Sequence, residues 1–319
     1  MSRIQRVLVA LASLVALLLL VSLMGATAPA QPTLSAKLAI AAQAAPSASP
    51  VPPTATATLI PPSPTLARRL FNESASVKIA PTSFLPGRGP ELPGELIYTG
   101  RRLDFYVGRG SFTPDQVADL GIKAEHALAY IQKRFAVSLN ERVSVGVYPA
   151  SQAPGRGTRG IAYTYGDTNV RIYYRPGEDQ HDALVILSHE LGHALQAQAY
   201  GKEAQSRADT VLLEGLASWI SGEYWLSLSE ADSFQARARE LYQAGYSGSL
   251  SGMGKRNLDV AYDMWAGFVD YLTRTYGWDA FNTLYVSGRG RAPGSADYQG
   301  VYGKSFKQLA DEFYATLAP

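Results

Sequence analysis

Leu187-Ser188-His189-Glu190-Leu191-Gly192-His193 is the stretch on which the reading of this chain turns. Positions four apart share one face of an α-helix. His189 and His193 can therefore point both imidazoles at one metal ion. Glu190 sits about 100° round the same helix, where its carboxylate can reach a water at that metal. The pattern is H-E-x-x-H, which carries this chemistry only when it lies on a helix.

The flanking residues supply that helix. Asp179 is placed as an N-cap, with Asp182 three residues on as in a capping box. Ala183, Leu184, Ile186, Leu187, Leu191, Ala194 and Leu195 make the segment apolar nearly all round, which predicts a buried helix. Gly201 stands where it should stop. Two imidazoles and a carboxylate buried on such a helix are costly unless something satisfies them. The chain has only four histidines. Of the others, His126 has no acidic or histidine partner one turn away and reads as a surface residue. His181 reads as a solvated residue at the helix start.

A third ligand is expected from a second helix, running from about Arg207 to Trp225 with Ser206 as its cap. It carries Leu212-Leu213-Glu214-Gly215-Leu216-Ala217-Ser218-Trp219. Glu214 lies among apolar and small residues, where a carboxylate requires a partner. The spacing from Glu190 leaves room for a loop and a returning helix. Two nitrogens, one oxygen and an open fourth position describe a catalytic rather than a structural zinc site. The cofactor expected is Zn2+, on His189, His193 and Glu214, with Glu190 as general base.

His-Glu-Leu-Gly-His followed by Glu214-Gly215-Leu216-Ala217 resembles the gluzincin zinc peptidases, in particular the peptidase MA-like family, over roughly residues 96–318. The metzincins, which share the histidine motif, require glycine and histidine where this chain has Gln196 and Ala199, and are rejected. The resemblance implies a zincin-like α+β fold. A small mixed or antiparallel sheet would pack on the active-site helix, followed by a mostly helical C-terminal subdomain. It also implies that Tyr262, near the start of the segment Leu258–Leu272, stabilises the tetrahedral intermediate, with Trp265 in place of the family's usual glycine. Many gluzincins carry an aspartate where this chain has Ser218, so orientation of the ligand histidine would have to come from elsewhere or be weaker. Clan aminopeptidases use a Gly-x-Met-Glu-Asn segment whose glutamate holds the substrate amine. Gly160-Ile161-Ala162-Tyr163-Thr164 has no such glutamate, which favours an endopeptidase.

Before the motif, residues 96–99 and 103–107 read as strands about Gly100, and Thr113-Pro114 as a helix start. Residues 143–148 read as a strand, and 161–165 with 169–174 as a hairpin around Gly166-Asp167. If its second strand lies at the sheet edge, an extended peptide could pair there. Residues 155–160 lack the context of a phosphate loop. After the metal helices, residues 228–245 read as a polar helix and 247–255 as a glycine-rich loop near the cleft. Residues 278–285 and 305–317 read as scaffold helices, with a polar loop from Gly288 to Gly300 between them.

Arg3 and Arg6 precede an eighteen-residue apolar run from Val7 to Met24, then Ala28-Pro29-Ala30. This is the layout of a signal peptide, long enough to serve as a membrane anchor over residues 1–30. Nine of the 19 prolines fall between Pro29 and Pro64, so residues 31–93 read as a Pro/Ala/Ser/Thr-rich disordered linker and 94–319 as the folded domain. The net charge of +2 without a basic run argues against nucleic acid as a partner. The absence of cysteine excludes disulfides, thiolate ligands and a cysteine nucleophile. The expectation is an extracytoplasmic zinc peptidase, secreted or tethered, acting on peptides or proteins. The competing reading is a non-catalytic zinc-containing module for interaction or adhesion at the cell envelope.

Overall fold

In the computed structural model the described residues are 83, 84 and 91–319, apart from 110, 111, 156, 176 and 257. The expected signal or anchor segment, and nearly all of the linker, lie outside them. Among the described residues no helix is long and apolar enough to cross a membrane.

Five strands make a mixed sheet: β2 (Glu95–Thr99), β3 (Leu103–Val107), β4 (Val143–Pro149), β5 (Gly160–Tyr163) and β6 (Asn169–Tyr174). A two-residue strand, β1 (Ser83–Phe84), extends it. The order is β1-β5-β6-β4-β3-β2. β3, β4 and β6 run parallel, while β2 pairs antiparallel with β3 and β5 antiparallel with β6. The expected hairpin is present, but its second strand is interior, between β5 and β4. Its backbone groups are spent on two neighbours, so the idea of a peptide adding to β6 is corrected. The outer side belongs to β5, where Ser83 and Phe84 pair in parallel with Ile161 and Ala162. The linker expected over 31–93 therefore contains a short strand. Its end is anchored as well, since Tyr148 Oη donates to the Pro93 carbonyl at 3.0 Å.

The parallel β3–β4 connection is helix α1 (Pro114–Phe135). Thr113 and Gln116 cap each other reciprocally at its start, and Val117, Leu120, Ala124, Leu128 and Ile131 bury one stripe. The motif helix, α2 (Gln180–Tyr200), lies on the same face of the sheet, against β5, β6 and α1. Asp179 caps it by accepting from the His181 amide at 2.9 Å, and Gly201 ends it at φ 83°. Asp182 closes no capping box; it is buried, and its Oδ2 has no hydrogen-bond partner.

The C-terminal part is helical, in order α3 (Lys202–Arg207), α4 (Thr210–Ser221), α5 (Glu223–Leu226), α6 (Phe234–Gln243), α7 (Leu250–Arg256), α8 (Leu258–Tyr276), α9 (Trp278–Val286), α10 (Tyr298–Tyr302) and α11 (Phe306–Leu317). Three expectations are corrected. The helix expected from Arg207 to Trp225 is three pieces, and its cap is Asp209 rather than Ser206. Asp209 is fully buried and accepts from the Val211 amide and from Tyr298 Oη. The polar helix begins at Phe234 rather than Leu228, because Glu230 is left-handed (φ 52°) and Ser233 caps the next turn. The loop expected at 247–255 is largely α7, held by tertiary packing: Trp265 Nε1 donates to the Leu250 carbonyl at 3.0 Å.

The long helix α8 packs on α4, α6, α7 and α9 and forms the centre of this half. Gly215 lets it come close to α4. A Cβ there would lie 2.6 Å from the Trp265 carbonyl oxygen, so the glycine after Glu214 sets how near the two helix backbones can approach.

Candidate metal centre

α2 and α4 bring His189, His193 and Glu214 together. Glu214 Oε2 lies 3.4 Å from His189 Nε2 and 3.3 Å from His193 Nε2. One ligand atom from each residue falls within 4.8 Å of the other two. The histidines are fully buried and Glu214 is 5 % exposed. This trio is a site that could hold a metal ion.

Burial drives His189 down, to about 4, with the Glu214 carboxylate opposing it. Burial alone would push Glu214 up; the charge of His193 and the hydrogen bonds of both histidines hold it well below the usual carboxylate range. A neutral imidazole and an ionised carboxylate are the forms that ligate metals.

Each histidine is supported on its other nitrogen. Ser218 Oγ, one turn after Glu214, lies 3.2 Å from His189 Nδ1. Ser218 therefore meets this histidine with a hydroxyl. Gln196 Oε1 lies 3.4 Å from His193 Nδ1 and accepts from Tyr285 Oη at 2.9 Å. Gln196 Nε2 donates to the Leu213 carbonyl at 2.9 Å. The Gln205 side chain, from α3, donates to the carbonyl of His193 itself at 2.7 Å. Such outer partners fix ring orientation and tune the ligands.

Glu190 is not part of the trio. Its side chain lies against β5, where Gly160 makes room for it; a Cβ on Gly160 would stand 2.4 Å from Glu190 Oε1. Glu190 is fully buried, and neither carboxylate oxygen has a hydrogen-bond partner. Burial, and then repulsion from Glu214, raise it well above the usual carboxylate range, with the nearby Ala162 amide opposing weakly. A buried carboxyl with two unsatisfied oxygens beside a potential metal site is costly. Water and a cation at the trio would relieve that cost, so the residues present fit a bound metal.

Tyr262, on α8, is 4 % exposed, and its ring centroid lies 5.5 Å from that of His189. Trp225 faces the same imidazole at 5.0 Å and stacks with Tyr262 at 5.9 Å. Trp225 Nε1 donates to Asp263 at 2.8 Å, and Asp263 also pairs with Arg237 at 2.8 Å. Trp265 packs its ring 5.6 Å from that of Tyr262 and donates from Nε1 to the Leu250 carbonyl of α7.

The polar loop after α9 contributes Arg291. Its guanidinium is half-buried and interacts electrostatically with Glu214, Tyr285, Tyr262 and Asp209. Neither Trp225 nor Arg291 is expected from the sequence. Trp225 comes from the short helix that follows α4 and Arg291 from a loop remote in the chain, and no spacing rule ties either to the motif. His126 is exposed and His181 bonds Ser227 Oγ at 2.8 Å; neither joins the trio. No protein-family model matches the chain, and no curated protein is similar to it in sequence.

Proposed function

We propose that this chain is an exported zinc-dependent peptidase of the gluzincin, peptidase MA-like kind, an endopeptidase rather than an aminopeptidase. The observation that carries the reading is the pairing of the buried His189–His193–Glu214 trio with a buried Glu190 whose oxygens have no hydrogen-bond partner. A structural zinc site closes with four ligands and has no use for such a carboxylate, which weighs against a non-catalytic envelope module.

His189, His193 and Glu214 would hold the zinc. Bound there, it supplies Lewis acidity, making water acidic at a pKa near roughly 7 and polarising a carbonyl oxygen. Glu190 has the chemistry of the general base. It accepts a proton as water adds to the peptide carbonyl carbon, and returns it to the amine as the C–N bond breaks. Tyr262 would donate its hydroxyl to the oxyanion. Ser218 and Gln196 hold the two imidazoles in orientation. Gly160 leaves room for Glu190 on the β5 side of the site. β5 carries no carboxylate to hold a substrate's amino terminus, which supports internal cleavage.

The test is Glu190→Gln loaded with zinc. It should retain one zinc per chain and lose roughly 10²–10⁴ of peptide turnover, the usual worth of a general base. Turnover at the original rate would remove Glu190 from the mechanism.

A further inference from the structure

The outer edge of β5 carries the backbone groups of residues that stand beside Glu190. In the antiparallel β5–β6 ladder the Tyr173 amide donates to the Arg159 carbonyl at 2.7 Å. Bonded pairs alternate along such a ladder, and the register sets Gly160 opposite Ile172 and Ile161 opposite Arg171. Ile161 and Tyr163 therefore turn their backbone groups toward β6, while Gly160 and Ala162 turn theirs outward. Gly160 is also the residue that leaves room for Glu190, whose Oε1 would lie 2.4 Å from a Cβ there. An extended chain on this edge lies one strand spacing, roughly 5 Å, from the strand against which Glu190 packs.

The protein lays one of its own segments on that edge. Ser83 pairs in parallel with Ile161, and Phe84 with Ala162. In a parallel ladder a residue bonds the two neighbours of its partner, so Ser83 spans the outward groups of Gly160 and Ala162. Residues 91–93 then fix the chain to the sheet. Arg171 Nη2 donates to the Glu91 carbonyl at 3.3 Å, and Leu92 packs against Tyr148, Ile161 and Tyr173. Arg171 sits opposite Ile161 across β5 and β6, so the anchor lies one strand in from the edge that Ser83 covers. A tether this short holds the segment near the edge at an effective concentration of order millimolar. A two-residue strand makes few hydrogen bonds, and each contributes little net. Such a pairing competes with dilute peptides and yields to concentrated or longer ones.

We propose that the segment at Ser83–Phe84 competes in cis with extended peptides for the outer edge of β5, so that the chain restrains its own site. The partner it excludes is a peptide in extended form, which adds to a strand edge through main-chain hydrogen bonds. The inference rests on the reading of the site as a peptide-binding metal centre.

The experiment releases the edge in the full-length chain. Ser83→Pro deletes the amide directed at β5, and a second variant lacks residues 79–86 and with them the whole of β1. Zinc-loaded Glu190→Gln protein, alone and with each change added, is titrated calorimetrically with an N-acetylated peptide. Both changes should tighten binding roughly three- to tenfold, as expected for removal of a competitor held by about one net hydrogen bond, with zinc content unchanged. A synthetic peptide of residues 79–88 should reverse the gain by competing from solution. With Glu190 intact, KM should fall by the same factor at constant kcat. Unchanged affinity in both variants overturns the proposal, because the segment would then only blunt the sheet edge. Weaker binding in both also overturns it, because the segment would then assist the peptide. Tighter binding by a protein that hydrolyses no peptide leaves the proposal standing and removes the peptidase reading. Peptide hydrolysis with KM unmoved in both variants does the reverse.

Discussion

Replacing Glu190 by glutamine should make the metal-free protein progressively more stable relative to wild type as pH rises. Glu190 is fully buried, its two oxygens have no hydrogen-bond partner, and Glu214 is close enough to repel its charge. Its folded pKa is therefore raised above the ordinary value of 4.5. Below that value the carboxyl is protonated in both the folded and the unfolded chain, and pH has no effect through it. Above it, the unfolded chain releases the proton while the folded chain retains it. Stability then falls by about 1.4 kcal/mol per pH unit until the folded carboxyl ionises too. Between pH 4.5 and 7 the loss has a ceiling of about 3.4 kcal/mol. Glutamine has nearly the same volume and does not titrate. Its own buried amide adds a cost that is constant with pH, so the diagnostic quantity is the slope of the difference. The assay is urea denaturation of chelated wild type and Glu190→Gln from pH 4 to pH 8. A difference that grows with pH supports the argument; a difference flat across that range would mean that Glu190 titrates as an exposed carboxylate does, and refutes it.

The remaining predictions concern the supports of the site. Ser218→Ala removes the hydroxyl beside His189 Nδ1 and should weaken zinc affinity by about 10-fold or more, read by competition with a chromophoric chelator; unchanged affinity would show that Ser218 does not orient His189. Tyr262→Phe should lower kcat by about 10²-fold or more while zinc content stays at one per chain, as for the loss of one oxyanion donor. A wild-type kcat would reduce Tyr262 to a packing residue. Gly215→Val forces a branched side chain toward the Trp265 carbonyl oxygen, which would stand only 2.6 Å from the new Cβ. It should cost about 1–3 kcal/mol in denaturant unfolding as α4 and α8 separate, and unchanged stability would show that the helices tolerate a wider spacing.

The metal trio is legible in the sequence because its signal is local. His189 and His193 are tied by helical spacing, and Glu214 betrays itself as a carboxylate in an apolar run. The supports are less so. Gln196 serves in the sequence only to reject one family, yet in the fold it faces His193 and joins Tyr285 to Leu213. Asp209 is passed over for Ser206, because both are good caps and only the returning loop of residues 290–298 distinguishes them. The glycines of α7 read as a loop, and Trp265 packing overrides that propensity. The sheet order is the least legible part. β6 reads as a strand of a hairpin, and nothing local says that β4 will pair with its other side. Arg291 is one arginine among many until the loop that carries it is seen clamped to α4.

The most direct test of the proposed metal-dependent peptidase activity is digestion of a peptide library by the intact protein, read by mass spectrometry, with chelator and after zinc is returned. Internal cleavages should disappear on chelation and reappear with zinc. Cleavage that persists in chelator, or its absence from the zinc-loaded protein, would contradict it.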